Sequence, residues 1–444
     1  MECTKTVDQL LDYIPRELLS RAEILLQGGR RTALRFANSE IHQNTNVDEW
    51  NIRLRLYEDA RTASCQTNVF TDAGLRQLVE NTERLLAVAP DDEENQHRFD
   101  THRTFLTSVS YVHFGLEEMR VRGMGLRDAL ELIPEGFTAA GSYHFDEQNM
   151  IFAKRNATVC QSLETVQFNT VVTHTDSGAE GGGELMCHKS ELDFDIKPVL
   201  QRATDWARQG AHKPARKPKA GAYTVILSPT AVCDLISYVV DALNAKCVAD
   251  RRSFLALREL GKRALGKNIT LTDDATDIRL FPWPFDFEGS IRQRLPLITD
   301  GVPVNLLHDK HTARAMGHIP SGHAGETPGG GGHALHVVMH GGDSSLDSMI
   351  RGVQQGIYVS ELHYTNLVTP QNLQVTGLTR GGTFLIENGV LTRPLPSLRF
   401  TETLTGKDGI LQRVTALSEM LTLVNMGGWA WLMPSARIEG FKFS

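Results

Sequence analysis

No window of this 444-residue chain approaches the unbroken apolar run of about 20 residues that a membrane-spanning helix requires. Nor is there a CxxC pair. The six cysteines stand at 3, 65, 160, 187, 233 and 247, the nearest two fourteen positions apart, which excludes a compact disulfide framework or a zinc ribbon. Free thiols in a reducing, cytoplasmic setting are expected. Positive charge is not in excess: 46 Lys and Arg against 53 Asp and Glu give a formal charge of −7 and a pI near 6.2. That balance gives no electrostatic footprint for direct nucleic-acid binding. The one basic cluster, HKPARKPK at 212–219, interleaves two prolines with cations and reads as a solvated linker. Finally, none of the 16 histidines is followed directly by glutamate, so no helix carries the His-Glu pair of a hydrolytic zinc motif.

What is present has the composition of a globular chain, 41% hydrophobic and 22% charged. The length predicts two or three domains. The opening MECTKTVDQLLDYIPRELL places acids inside its apolar periodicity and reads as a helical start, not a signal peptide. Helical spacing over 7–27, broken at Pro15, predicts two short helices. The period then changes. RTALRFANSEIHQN and NIRLRLYEDARTASCQT alternate, with Ile52, Leu54 and Leu56 to one side and Arg53, Arg55 and Tyr57 to the other, as in a half-buried antiparallel sheet. Thr71 is placed to cap a helix whose stripe is Leu75, Leu78, Val79, Thr82, Leu85 and Leu86, ending at Pro90, with the charged DDEEN at 91–95 beyond it.

The middle third reads as less regular: a helix near 126–133, alternating strands over 137–175, a glycine-rich turn GAEGGGE at 178–184, and a helix at 196–209 containing Trp206. After the linker, AYTVILSP is a buried strand feeding a helix, with Ser228 as N-cap, Pro229 at the first helical position, and Val232, Leu235, Ile236, Val239 and Leu243 on one face. From about 270 short strands and turns dominate, among them a type I′ hairpin at Asn388-Gly389; a last helix is expected near 408–420 and a strand in WAWLMPSARIEGF. The expectation is an α+β chain: an N-terminal α+β domain over 1–115, a middle region and Lys/Pro linker over 116–220, and a β-rich C-terminal domain over 221–444.

The most suggestive local motif is GGGGHALHVVMHGG. His333, His336 and His340 are spaced three and four apart, as a helical metal site would require. Flanking glycines and the central Val337-Val338 favour a strand instead. In a strand His336 and His340 share a face about 13 Å apart while His333 points away, too far apart for one metal. Cys187-His188 is a weak adjacent pair. His308 and His311 read as solvent-facing residues at a helix start beside Asp309, and His323, in SGHAG, as a hydrogen-bonding loop residue.

The order RFANSEIHQN, YTVILSP, RRSFLALRELGK, ITLTDD, PWPFDFEG, ITDGVPVNLLHDKHTARAMG, SGHAG, GIYVSEL, LTRGGTFLIENGVL and WLMPSARIEG resembles the TldD/PmbA family, also described as modulators of DNA gyrase, over nearly the whole chain. The resemblance implies a metallopeptidase fold. Its TldD branch carries HExxxH on the helix after the VxL strand and a third ligand, a cysteine, near the C-terminus; its TldE or PmbA branch lacks these groups and pairs with the active subunit around a peptidase chamber. In CDLISYVVDALNAK, Ser237, Tyr238 and Ala242 stand where His, Glu and His would be, and VNMGGWAW offers no cysteine. The branch implied is therefore TldE-like: no metal or cofactor of its own, zinc in a TldD-like partner, and a peptide substrate. His323, Glu361 and Arg380 fall at recurring family positions and are the candidates for contact with peptide or partner. Two alternatives stand beside this reading: a peptidase with a metal relocated to His323, His333 or His336, and a stand-alone peptide-binding or gyrase-modulating protein.

Overall fold

The computed structural model describes residues 3–92, 116–155, 157–188, 195–211, 217–255, 260–280, 283–427 and 429–444. Two short helices, α1 (Cys3–Tyr13) and α2 (Arg16–Leu19), open the chain. The second is shorter than its spacing predicts, because Leu26 already belongs to β1 (Ala22–Ala37). With β2 (Glu40–Glu58), β3 (Arg61–Thr67), β4 (Phe137–Lys154), β5 (Ala157–His174) and β6 (Glu180–His188), β1 forms an antiparallel six-stranded sheet in the order β3-β2-β1-β4-β5-β6. Strands from 1–115 and from 116–220 thus share one hydrogen-bonded unit.

The alternation at 52–57 holds, but not as a half-buried sheet. Ile52, Leu54 and Leu56 are buried under α1–α2 and α3 (Asp72–Val88), while Arg55 and Tyr57 on the opposite face are only 5% exposed, covered by the C-terminal half. Thr71 Oγ1 accepts from Gly74 N and caps α3; of its expected stripe Leu85 is out, 47% exposed. The DDEEN segment and the Lys/Pro cluster lie largely outside the described residues. α4 (Leu116–Leu130) and α5 (Lys197–Ala211) cover the far end of the same face, where Leu34, Phe36, Tyr143, Phe145 and Phe168 form a second core. The glycine-rich turn expected at 178–184 is instead the start of β6. Its glycines let α5 lie flat on the strand: a Cβ at Gly181 would meet Ala203 O at 2.0 Å, and one at Gly183 would meet Val199 Cγ1 at 2.6 Å.

The C-terminal sheet has eleven strands: β7 (Gly221–Leu227), β8 (Leu271–Asp273), β9 (Leu295–Thr299), β10 (Val302–Pro303), β11 (Val337–Met339), β12 (Gln355–Thr369), β13 (Gln374–Glu387), β14 (Val390–Pro394), β15 (Arg399–Thr403), β16 (Val414–Met426) and β17 (Trp429–Phe443). The path β17-β15-β13-β12-β7 closes on itself, because β7 pairs in parallel with β12 and antiparallel with β17. Its core includes Val225, Leu227, Val359, Phe400, Met433 and Phe441. On it packs α6 (Pro229–Asp241), begun as expected: Ser228 Oγ accepts from Ala231 N, Pro229 is in the first turn, and Val232, Leu235, Ile236 and Val239 are buried. Asn388 and Gly389 have φ of 52° and 76°, as a type I′ hairpin needs. The helix expected near 408–420 is absent: a 3-10 turn at Ile410–Arg413 passes into β16, which pairs with β17 from Val414 to Met426. That ladder supplies backbone bonds and buries Leu417 and Val424.

Candidate functional site

Between the N-terminal sheet and the C-terminal half lies a cleft of about 1020 Å³. Its wall on one side is β1, β2 and β4, from Gly28-Gly29, Glu49, Trp50 and Asn149; on the other stand Trp283, Phe287, Glu326 and Trp429. Gly28 and Gly29 have φ of 155° and 156°, and a Cβ would fall 2.3 Å from Glu49 O and 1.9 Å from Glu147 O, so glycine is required for β1 to pass between its neighbours here. The aromatic wall is self-supporting: Trp429 packs edge-on against Trp283 at 5.5 Å and Phe287 at 6.4 Å. Gln27 Nε2 donates to Glu326 Oε1 and Arg53 Nη1 to Glu326 O, both at 2.6 Å, tying the sheet to the loop that follows His323.

Beside this tie the two halves are joined by a buried charge network. Arg55 Nη1 lies 3.5 Å from Glu23 Oε2 and 3.4 Å from Glu288 Oε1 and donates to Tyr57 OH at 3.2 Å; Tyr57 OH donates to Glu23 at 2.7 Å, and Lys154 and Lys310 approach Glu23 at 3.2 and 3.9 Å. Burial alone would raise the Glu23 pKa, but the charges of Lys310, Lys154 and Arg55 outweigh it and bring it to about 2. Glu288, with fewer cations at hand, is instead pushed up by burial.

A smaller recess of about 330 Å³ shares Phe287, Glu326 and Trp429 with the cleft and is lined further by Gly330–Gly332, His333 and Asn244. It ends at the C-terminal end of α6. There Asp241 and His333 interact at the solvent-exposed rim: partial desolvation raises the carboxyl's pKa and lowers the imidazole's, each opposed by the other's charge. The three positions of the expected zinc motif are occupied otherwise. Ser237 Oγ donates to Asp234 O at 2.8 Å, Tyr238 OH donates to Thr365 O on β12 at 2.7 Å, and Ala242 is the buried C-cap. Burial, with Asp234 and Asp241 nearby, takes the Tyr238 phenol up to about 12, far from a base near neutrality. Hydroxyl, phenol and methyl groups in these bonds do not fit a zinc ion. No group of three or more His, Cys, Asp or Glu is arranged to hold a metal among the described residues.

The histidines of GGGGHALHVVMHGG separate. Only Val337–Met339 is strand; His333 sits in the loop before it, His336 is fully buried, and His340 is exposed beside Thr272. His336 accepts from Trp283 N at Nε2 (3.1 Å), while its Nδ1 lies 3.8 Å from Asp273 Oδ1. His323, equally buried, reaches the same oxygen at 3.5 Å, as does Arg292 at 3.6 Å. Burial alone would raise the Asp273 carboxyl; the two imidazoles and the guanidinium hold it well below the usual range. This quartet fixes the recess: Arg292 Nη2 donates to His333 O at 3.2 Å, and His333 N donates to His323 O at 2.6 Å. His308 is buried, not solvent-facing; its ring lies tilted against His318 with centroids 4.9 Å apart, and burial with that neighbour takes its pKa down to about 4. The N-cap there is Asp309, whose Oδ1 accepts from Thr312 N at 2.7 Å. Glu361 and Arg380 oppose each other in the β12–β13 register but line neither the cleft nor the recess. The Arg380 guanidinium turns to His363, at 3.3 Å, and the Glu361 carboxylate lies against Gly182 and Gly381, where burial raises its pKa. Cys187 and His188 lie on β6; their side chains are outside the described residues.

A closed C-terminal sheet with a capped helix on it is joined to a long antiparallel sheet across an aromatic cleft, a two-part α+β architecture. The PmbA/TldA metallopeptidase C-terminal domain matches residues 220–444, and domain 1 of the same group matches 22–86. The chain belongs to the PmbA/TldD family. Among similar proteins, an uncharacterized protein of Methanocaldococcus jannaschii is 33% identical over 147 residues, which is 33% of this chain and 34% of that one. The metalloprotease PmbA of Escherichia coli O157:H7 is 28% identical over 219 residues, 49% of this chain and 45% of that one. These matches therefore span about a third to a half of the relatives' own length. Two solved structures share the fold over the whole chain: a Thermotoga maritima protein described as a modulator of DNA gyrase (TM-score 0.82, 16% identity, 100% of both chains) and TldE from Thermococcus kodakarensis (0.80, 16%, 100% of this chain and 99% of that one).

Proposed function

We propose that this chain is a TldE-like, non-catalytic subunit of a TldD/TldE-type zinc peptidase, completing a chamber with a TldD-like partner and holding unfolded peptide there. The observation that carries this reading is α6, the helix on which the family resemblance places the zinc motif: its Ser237 and Tyr238, and Ala242 at its C-cap, are committed to internal bonds and packing. In this reading zinc and the water-activating glutamate belong to the partner, in the cytoplasm. No metal is relocated within this chain, and no direct role on DNA is required. The chain shares the fold of TldE from Thermococcus kodakarensis, as such a subunit would.

The test is purification of the chain alone and with a TldD-like protein. Alone it should carry no stoichiometric zinc, nickel or iron and cleave no unfolded peptide; together the two should co-elute and show chelator-sensitive cleavage. Zinc-dependent cleavage by the isolated chain would overturn the proposal.

A further inference from the structure

The lining of the cleft specifies more than a generic peptide. We infer that it takes an extended segment rich in lysine and arginine, laid along the open edge of β2, a refinement that rests on the peptide-holding role proposed above. β3 pairs with β2 only from Ile52 to Glu58, so among the described residues the outer edge of β2 from Glu40 to Asn51 carries no strand. Val47, Asp48, Glu49, Trp50 and Asn51 belong to that edge and also line the cleft. Unpaired backbone N–H and C=O groups along an edge are a template for an added strand, and here they border a cavity large enough to hold one.

Charge decides which strand. Five carboxylates line the cleft, from Asp48, Glu49, Asp146, Glu147 and Glu326, against two guanidinium groups, Arg30 and Arg31. Arg31 is committed to Asp146 at 2.9 Å, Arg30 stands opposite Asp48 in the β1–β2 register, and Arg53, which donates to Glu326 O, is the cation beside Glu326, so the balance among these described residues stays acidic and centres on Glu49. An acidic segment would meet like charge along its length. A basic one finds carboxylates along β2 and beyond it, and the half-buried Trp50 and Trp429 offer cation–π contact to side chains passing over them.

The experiment uses the isolated full-length chain and fluorescein-labelled decapeptides read by anisotropy. The probes are an alternating Lys-Thr sequence, its Glu-Thr counterpart, and the Lys-Thr sequence N-methylated at every second residue. The Lys-Thr peptide should bind at least about tenfold tighter than Glu-Thr at low salt, with the difference shrinking at high salt. N-methylation, which removes the strand's donors, should abolish binding. Replacing Glu49→Gln and Glu326→Gln together should weaken the Lys-Thr peptide by roughly threefold to tenfold, whereas Asp343→Asn with Glu419→Gln, an equal charge change away from the cleft, should not. Equal binding of the two charges, no binding of Lys-Thr, retention by the N-methylated peptide, or equal effects of the two double variants each overturns the inference. No partner and no cleavage enter this assay, so its failure leaves the proposed subunit role standing, and failure of heterodimer formation leaves this result readable.

Discussion

Replacing Arg55 with methionine isolates the junction between the two halves of the molecule. The guanidinium is 5% exposed and stands between Glu23 of β1 and Glu288 of the C-terminal half. Its loss leaves the carboxylates unequal. Glu23 keeps Lys154, Lys310 and the Tyr57 hydroxyl and stays ionised. Glu288 keeps the Lys310 backbone N–H at 3.0 Å and the Lys310 ammonium charge, while burial already raises its pKa. Taking one of two cations from a buried carboxylate in this way costs about 1–3 kcal/mol at neutral pH. Because the folded-state pKa of Glu288 is raised, its contribution to stability is fully present below its unfolded value and lost as pH rises through the folded one. The variant should therefore recover part of its deficit in mild acid relative to neutral pH, as Glu288 takes up a proton. Glu23 behaves oppositely: in the wild type its pKa of about 2 contributes on the order of 3 kcal/mol above pH 4.5, lost as pH falls toward 2, and without Arg55 this contribution is smaller. Urea unfolding followed by tryptophan fluorescence at the two pH values measures this directly. Adding Glu288→Gln to Arg55→Met should restore at least ~1 kcal/mol at neutral pH. A deficit below about 1 kcal/mol, or one unchanged between the two pH values, refutes the assignment of Glu288 as the stranded group.

Gly29→Ala should cost about 1–3 kcal/mol, because its φ is 156° and the new methyl would overlap Glu147 O. Gly178→Ala, also at positive φ but with nothing within 4 Å, should cost only about 1 kcal/mol in the same unfolding assay. Asp273→Asn, isosteric but uncharged, leaves Arg292 buried without its anion and should destabilise by about 3 kcal/mol or more near neutrality. Because the Asp273 pKa is depressed, its contribution is present above its ordinary carboxylate value and fades as pH falls below it, so wild type and variant should converge in acid; parallel pH profiles would count against that role.

The elements legible in the sequence were those whose cause is local. Ser228-Pro229 carries its own cap chemistry, Asn388-Gly389 its own turn, and Ile52, Leu54 and Leu56 their own period, and all three stand where they were expected. Misread elements had distant causes. Val414–Met426 becomes a strand because β17 lies beside it, GAEGGGE becomes a strand because α5 lies upon it, and His308 is buried because His318 and the C-terminal half enclose it. The cleft is the extreme case. Gly28-Gly29, Trp283, Glu326 and Trp429 come from four remote segments, and no spacing within any one of them marks a shared wall. The expectation that Ser237, Tyr238 and Ala242 stand at zinc-motif positions has another source, a family pattern laid on a helix that local signals place.

The N-terminal sheet resembles a beam propped at its two ends. The core under α1–α3 grips β1 at Ala22, Ile24 and Leu26, the core under α4 and α5 grips it at Leu34 and Phe36, and between them the span from Gln27 to Arg31 has neither. A beam bends where it is unsupported. The cleft opens along that span, so whatever occupies it would brace the sheet at its most compliant point, and loading should register as slowed amide exchange in β1 and β4 near Gly28 and Asn149.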